Sequence, residues 1–131
     1  MMRLERKWVT LVSAGKPKTN RNILITGGCG HIGSAMISHD CMRDYNITVV
    51  DNMLTQRYCS LFDMNRKIKF IESDIKDLTK DHLQGIDAVI HMASVTNAAG
   101  SFDEIDVVEK INYNNTINFM DLCGEVGCKF I

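Results

Sequence analysis

From Asn22 onward, short apolar runs alternate with stretches whose apolar residues recur at helical spacing. Asn22–Thr26 is a β-rich run that fits a strand covered on both faces. A glycine cluster follows. His31–Arg43 then carries Ile32, Ala35, Met36 and Ile37 on one stripe, which predicts a helix. Asn46–Asp51 predicts a second strand ending in a carboxylate, and Lys67–Glu72 a third. Asp77–Leu83 is a short helix candidate that Asp77 or Thr79 could cap. Ile86–Met92 predicts a fourth strand. Asp103–Val126 predicts a long helix with Ile105, Val108, Ile111, Ile117, Met120 and Leu122 inward, stopped by Gly124 or Gly127. Cys128–Ile131 reads as the start of a fifth strand.

Strands alternating with helices specify an α/β fold with right-handed crossovers. The expectation is a doubly wound parallel sheet, three-layered and Rossmann-like, with strand order 3-2-1-4, a stub of a fifth strand, and an incomplete outline. Residues 1–21 read as a basic N-terminal arm, expected to be poorly ordered, and residues 22–131 as the α/β domain.

The 131 residues suit one domain. A net charge of −1 implies no global attraction to nucleic acid or membrane. The arm alone carries a local +5, which reads as a solvated tail, with a polyanion contact as the lesser option. Five cysteines, an odd count without a Cys-x-x-Cys, argue against a disulfide framework or a zinc site and for a reducing, cytoplasmic setting. No apolar run approaches the length of a membrane span. The four histidines are scattered, so no metal site is expected.

The glycines carry the chemistry. Gly28, Gly30 and Gly33 fit G-x-G-x-x-G, and Gly27, Gly30 and Gly33 fit G-x-x-G-x-x-G. The cluster follows a strand and opens a helix, so free main-chain amides there can hold a pyrophosphate. Asp51 lies 18 residues past Gly33 at a strand end. That is near the ~20-residue spacing of an acid that binds the adenosine ribose. A carboxylate there favours NAD over NADP, because it repels a 2′-phosphate. Arg57 is the residue that could reverse this preference. Cys29 sits near a helix N-terminus, a position that can lower a thiol pKa, although a small turn residue is the default reading. The methionines at 36, 42, 92 and 120 read as core filler.

Five segments in order resemble the extended short-chain dehydrogenases/reductases, the NAD-dependent epimerases and dehydratases of nucleotide sugars. They are residues 26–33 (TGGCGHIG), 50–52 (VDN), 73–75 (SDI), 89–94 (VIHMAS) and 112–118 (NYNNTIN). The resemblance implies NAD bound by Gly27, Gly30, His31, Ile32 and Gly33, with Asp51, Asn52 and Met53 at the adenosine ribose. It implies Asp74, with the Ile75 backbone, at the adenine. Met92, Ala93 and Ser94 would run along the pyrophosphate and nicotinamide ribose, and Asn112 would face the nicotinamide half. Asn115 stands where the family usually has glycine.

The family's reaction uses a Tyr-x-x-x-Lys pair, in which the lysine cation lowers the phenol pKa so that tyrosine moves a proton near neutrality. Four residues beyond Tyr45, Tyr58 and Tyr113 stand Val49, Phe62 and Ile117, so the pair is absent from this sequence. The chain also stops on the apolar entry to a strand. These features predict the N-terminal, cofactor-binding part of a longer enzyme that is inactive alone. The nucleotide-sugar substrate would bind the full-length protein, no residue here is assigned to catalysis, and a homodimer stays open. The other options are a non-catalytic NAD(P)-sensing module and a piece too unstable to bind anything.

Overall fold

The computed structural model describes residues 21–62, 67–95 and 108–131. Residues 1–20 of the basic arm and 103–107 of the long helix lie outside the described residues.

Five strands, β1 (Arg21–Thr26), β2 (Tyr45–Asp51), β3 (Ile68–Glu72), β4 (Ala88–His91) and β5 (Lys129–Phe130), form one sheet. Its order is β3-β2-β1-β4-β5 and every pairing is parallel. The fifth strand is therefore a paired member that covers the outer edge of β4. Among the described residues the helices are α1 (His31–Ser38), α2 (Lys80–Leu83) and α3 (Asn115–Glu125).

Alternation along the central strands builds a core on each face. Leu24, Val50 and Val89 pack with Leu83, Phe119 and Cys123, on the side of α2 and α3. Ile23, Ile25, Ile47 and Val49 pack with Ile37 and Met42 on the other face. Leu24, Ile25, Val49 and Val89 are fully buried. Each such side chain contributes about 1.5–3 kcal/mol relative to exposure. At the amino ends of the strands, Asn22 ties three elements together. Its main-chain N–H donates to Asp87 (2.8 Å), its amide donates to Gly85 O (2.7 Å), and its Oδ1 accepts from Asn46 (2.8 Å).

The helices depart from expectation in three places. The first ends at Ser38, and a separate tight turn, Asp40–Met42, begins after it. Its buried positions are Gly33 and Ile37; Ile32 is 74% exposed and Ala35 is exposed. The Asp77–Leu83 segment divides into a turn at Ile75–Asp77, capped by Asp74, and the one-turn α2, where Thr79 and His82 form a reciprocal cap. In the third helix, a wide turn at Lys110–Asn114 precedes α3. Its i to i+5 bonding adds a residue to the turn and shifts the helical phase. Phe119 and Cys123 are buried, while Ile117 and Met120 are 36% and 41% exposed.

Candidate nucleotide-binding site

β1 and β4 are sheet neighbours whose crossovers leave to opposite faces. In open α/β sheets ligands bind beyond the carboxyl ends of two such strands. Residues 27–30 turn the chain from β1 into α1. Gly27 has φ +66°, and a Cβ there would lie 2.8 Å from the Ala93 nitrogen and from the Met92 carbonyl group. Gly27 thus lets the segment leaving β4 run against the turn. A Cβ on Gly33 would lie 2.7 Å from Gly27 O and Gly28 Cα, so this glycine packs the helix on the turn rather than on the strand. Gly30 differs. Its Cβ would meet only Gly27 O, at 3.1 Å. Of Gly27, Gly30 and Gly33, the glycine where the helix begins is the least crowded.

No side chain caps α1, and among the described residues nothing accepts from the amides of His31, Ile32 and Gly33. His31 and Ile32 are exposed. Three donors therefore point out of the helix start, where the macrodipole also favours an anion. The opening amides, beside a glycine whose Cβ would meet no side chain, fit a diphosphate.

Asp51 reaches the same turn from the end of β2. Its Oδ2 accepts from the Cys29 main-chain N–H (3.0 Å) and its Oδ1 from Met53 N–H (2.9 Å). Burial pushes the Cys29 thiol up to about 11, and the Asp51 charge adds to the effect. Any lowering by the helix terminus is thus outweighed, because Cys29 is only 2% exposed and lies near a carboxylate, in keeping with a small turn residue. Asn52 is exposed and donates to Asp74 Oδ2 (3.3 Å), joining the ends of β2 and β3. Asp74 Oδ1 also accepts from Lys76 N–H (3.1 Å).

Two expected residues offer main chain only. Met53 has φ 55° and is 4% exposed, with its side chain in the core on the α1 face. Ile75 is 6% exposed in the opposite core. Met92 and Ala93 are half-buried beside Gly27, and Ser94 is exposed. Asn112 uses both ends of its amide on Val95: its Oδ1 accepts from Val95 N–H (2.7 Å) and its Nδ2 donates to Val95 O (3.0 Å). It anchors the segment after β4 instead of presenting a free amide. A hollow of about 230 Å³ opens between the turn at Ile75–Asp77 and α3, lined by Lys76, Asn115, Asn118 and apolar neighbours.

Thr26 and His91, which pair across β1 and β4, belong to the site's support and had no assigned role. Both lie in segments that carry the family resemblance, Thr26 at the head of residues 26–33 and His91 within residues 89–94.

A model of the 3-beta hydroxysteroid dehydrogenase/isomerase family, within the extended short-chain dehydrogenases/reductases, matches residues 24–131. The chain belongs to this family. UDP-glucose 4-epimerase 2 of Oryza sativa subsp. japonica is 29% identical over 122 residues, covering 83% of this chain and 29% of its own. The UDP-Glc/GlcNAc 4-epimerase of Campylobacter jejuni superposes with a TM-score of 0.77 at 30% identity, over 84% of this chain and 36% of that one. An NAD-dependent NDP-hexosamine 5,6-dehydratase of tunicamycin biosynthesis gives 0.68 at 27% identity, over 82% and 34%. This short-chain dehydrogenase/reductase chain spans about a third of the length of the curated relatives it matches. Among its described residues no helix is long and apolar enough to cross a membrane, and no group of three metal-ligating side chains comes together.

Proposed function

We propose that this chain is the NAD-binding portion of an oxidoreductase that acts on a nucleotide sugar by epimerisation or dehydration. One observation carries the cofactor assignment: Asp51 at the tip of β2 is bonded to the turn whose following amides stand open. In this reading the amides of His31, Ile32 and Gly33 hold the pyrophosphate, and Gly30 leaves room for it. Asp51 and Asn52 take the adenosine ribose, Asp74 and the Ile75 main chain border the adenine, and Met92, Ala93 and Ser94 line the path toward the nicotinamide. Asn112 serves by fixing Val95. When bound, NAD supplies reversible hydride exchange with a substrate carbon.

The substrate class rests on the relatives, whose names are those of UDP-sugar enzymes, and not on any substrate contact in this chain. With no Tyr-x-x-x-Lys in the sequence, the chain alone binds the cofactor without turning it over. Five free cysteines fit a reducing, cytoplasmic compartment. Titration with NADH, followed by its fluorescence, tests the assignment. Saturable binding with weaker binding of NADPH supports it. Absence of binding by folded protein refutes it.

A further inference from the structure

Beneath the cofactor turn, the His91 ring joins three elements. Its Nδ1 lies 2.7 Å from Thr26 Oγ1 on β1, and its Nε2 lies 2.9 Å from Thr116 Oγ1 on α3. The ring packs against Phe119 and Phe130, with centroids 5.9 Å and 5.5 Å away. Thr26 is fully buried, and its hydroxyl oxygen faces the amides of Met92 (3.2 Å) and Ala93 (3.3 Å). The Met92 amide is shared with Thr26 O, whereas the Ala93 amide has no other acceptor among the described residues.

A hydroxyl has one proton and two lone pairs. With the Ala93 amide on one lone pair and the shared Met92 amide on the other, the Thr26 proton is best directed to His91 Nδ1. That nitrogen is then unprotonated, and Nε2–H donates to Thr116. Hydrogen-bond balance thus selects one tautomer of the neutral ring. A charged ring would bring a third donor to Thr26 Oγ1 and force one contact apart.

We propose that His91 is a positioning residue for the cofactor site, holding the Thr26 hydroxyl so that it fixes the Met92–Ala93 main chain against Gly27. The consequence for NAD rests on the function proposed above; the hydrogen-bond arrangement does not. The groups that face the ring are Thr26 from β1, Thr116 and Phe119 from α3 and Phe130 from β5, all uncharged; the charged group nearest in the 131-residue chain is the Ile131 carboxylate, which accepts from the His91 main-chain N–H (2.8 Å). Burial lowers the His91 pKa. Acidification below its titration therefore charges the ring and loosens Ala93.

The test uses the 131-residue chain, first without nucleotide. Nitrogen-15 NMR of the imidazole at neutral pH should show a protonated Nε2 and a bare Nδ1; the opposite tautomer overturns the proposal. Thr26→Val should speed hydrogen exchange at the Ala93 amide by about five- to tenfold, the usual worth of one hydrogen bond. Thr26→Ser should restore protection, and unchanged Ala93 exchange in folded Thr26→Val also overturns the proposal. With NADH present, wild-type affinity should fall as His91 becomes charged. In His91→Asn, which keeps an acceptor and cannot be protonated, affinity should be flat over the same range. A wild-type slope that persists unaltered in His91→Asn overturns the proposal. Failure of wild-type to bind NADH refutes the NAD assignment, and the tautomer and exchange measurements still decide the role of His91.

Discussion

Asp51 Oδ2 accepts a 3.0 Å hydrogen bond from the main-chain nitrogen of Cys29, 22 residues earlier in the chain. This bond links the tip of β2 to the turn between β1 and α1. It sets a carboxylate beside the start of the helix, where the two halves of an adenosine diphosphate would need their partners. The same carboxylate satisfies Met53 N–H, so it also shapes the chain leaving β2.

Asp51→Ala should act in two ways. Cys29 N–H, in a buried turn, loses its acceptor, at a cost of about 1–3 kcal/mol in stability. NADH should bind about tenfold more weakly, consistent with loss of a charge-assisted hydrogen bond, and NADPH should lose less. Thermal melts and paired titrations read both effects. An unaltered preference between the two nucleotides would show that Asp51 does not touch the ribose.

Gly30 and Gly33 should behave differently when substituted. Gly33→Ala places a methyl 2.7 Å from Gly27 O and Gly28 Cα, and should cost about 1–3 kcal/mol of stability by overpacking. Gly30→Val meets only Gly27 O from its Cβ. It should stay folded while NADH affinity falls by about tenfold to a hundredfold, the same steric cost displayed against the ligand. Circular dichroism with NADH titration separates the two outcomes.

The thiols should divide by environment. Cys41 and Cys59 are exposed, whereas Cys29, Cys123 and Cys128 are buried. Burial pushes Cys29 and Cys123 up to about 11 and raises Cys128 as well. At pH 8, iodoacetamide should modify Cys41 and Cys59 first, as peptide mass mapping would show. Early labelling of Cys29 in folded protein would contradict its placement.

Stability should fall on mild acidification. The ordinary value for His91 is 6.5, and burial lowers it in the fold. Above 6.5 both folded and unfolded chains hold a neutral ring, so its contribution is complete. As pH falls from 6.5 toward the lowered folded value, the unfolded chain takes the proton first and stability declines. Urea midpoints measured across that range should show this slope, and His91→Phe should remove His91's share of it.

Much of this was legible in the chain because local and tertiary requirements agree. Ile23, Leu24 and Ile25 are apolar in succession and are buried from both faces, and Gly27 ends the run where the backbone needs φ +66°. The glycine spacing and Asp51 marked one end of the sheet for the same reason. The misread positions are those where a distant contact decides. Ile117 and Met120 follow helical spacing, but α3 turns Phe119 and Cys123 onto Leu24, Val50 and Val89 instead, and only the sheet's position decides between the two faces. Ile32 looked like core and lies over the open start of α1. The pairing of Thr26 with His91 exists only once β1 and β4 are neighbours.

The most direct measurement is a map of backbone amide chemical shifts during titration of the folded chain with NAD. The account predicts saturating shifts that centre on Gly30, His31, Ile32 and Gly33 and extend to Asp51 and Asn52. Saturating shifts centred elsewhere, with those six amides unmoved, would contradict it.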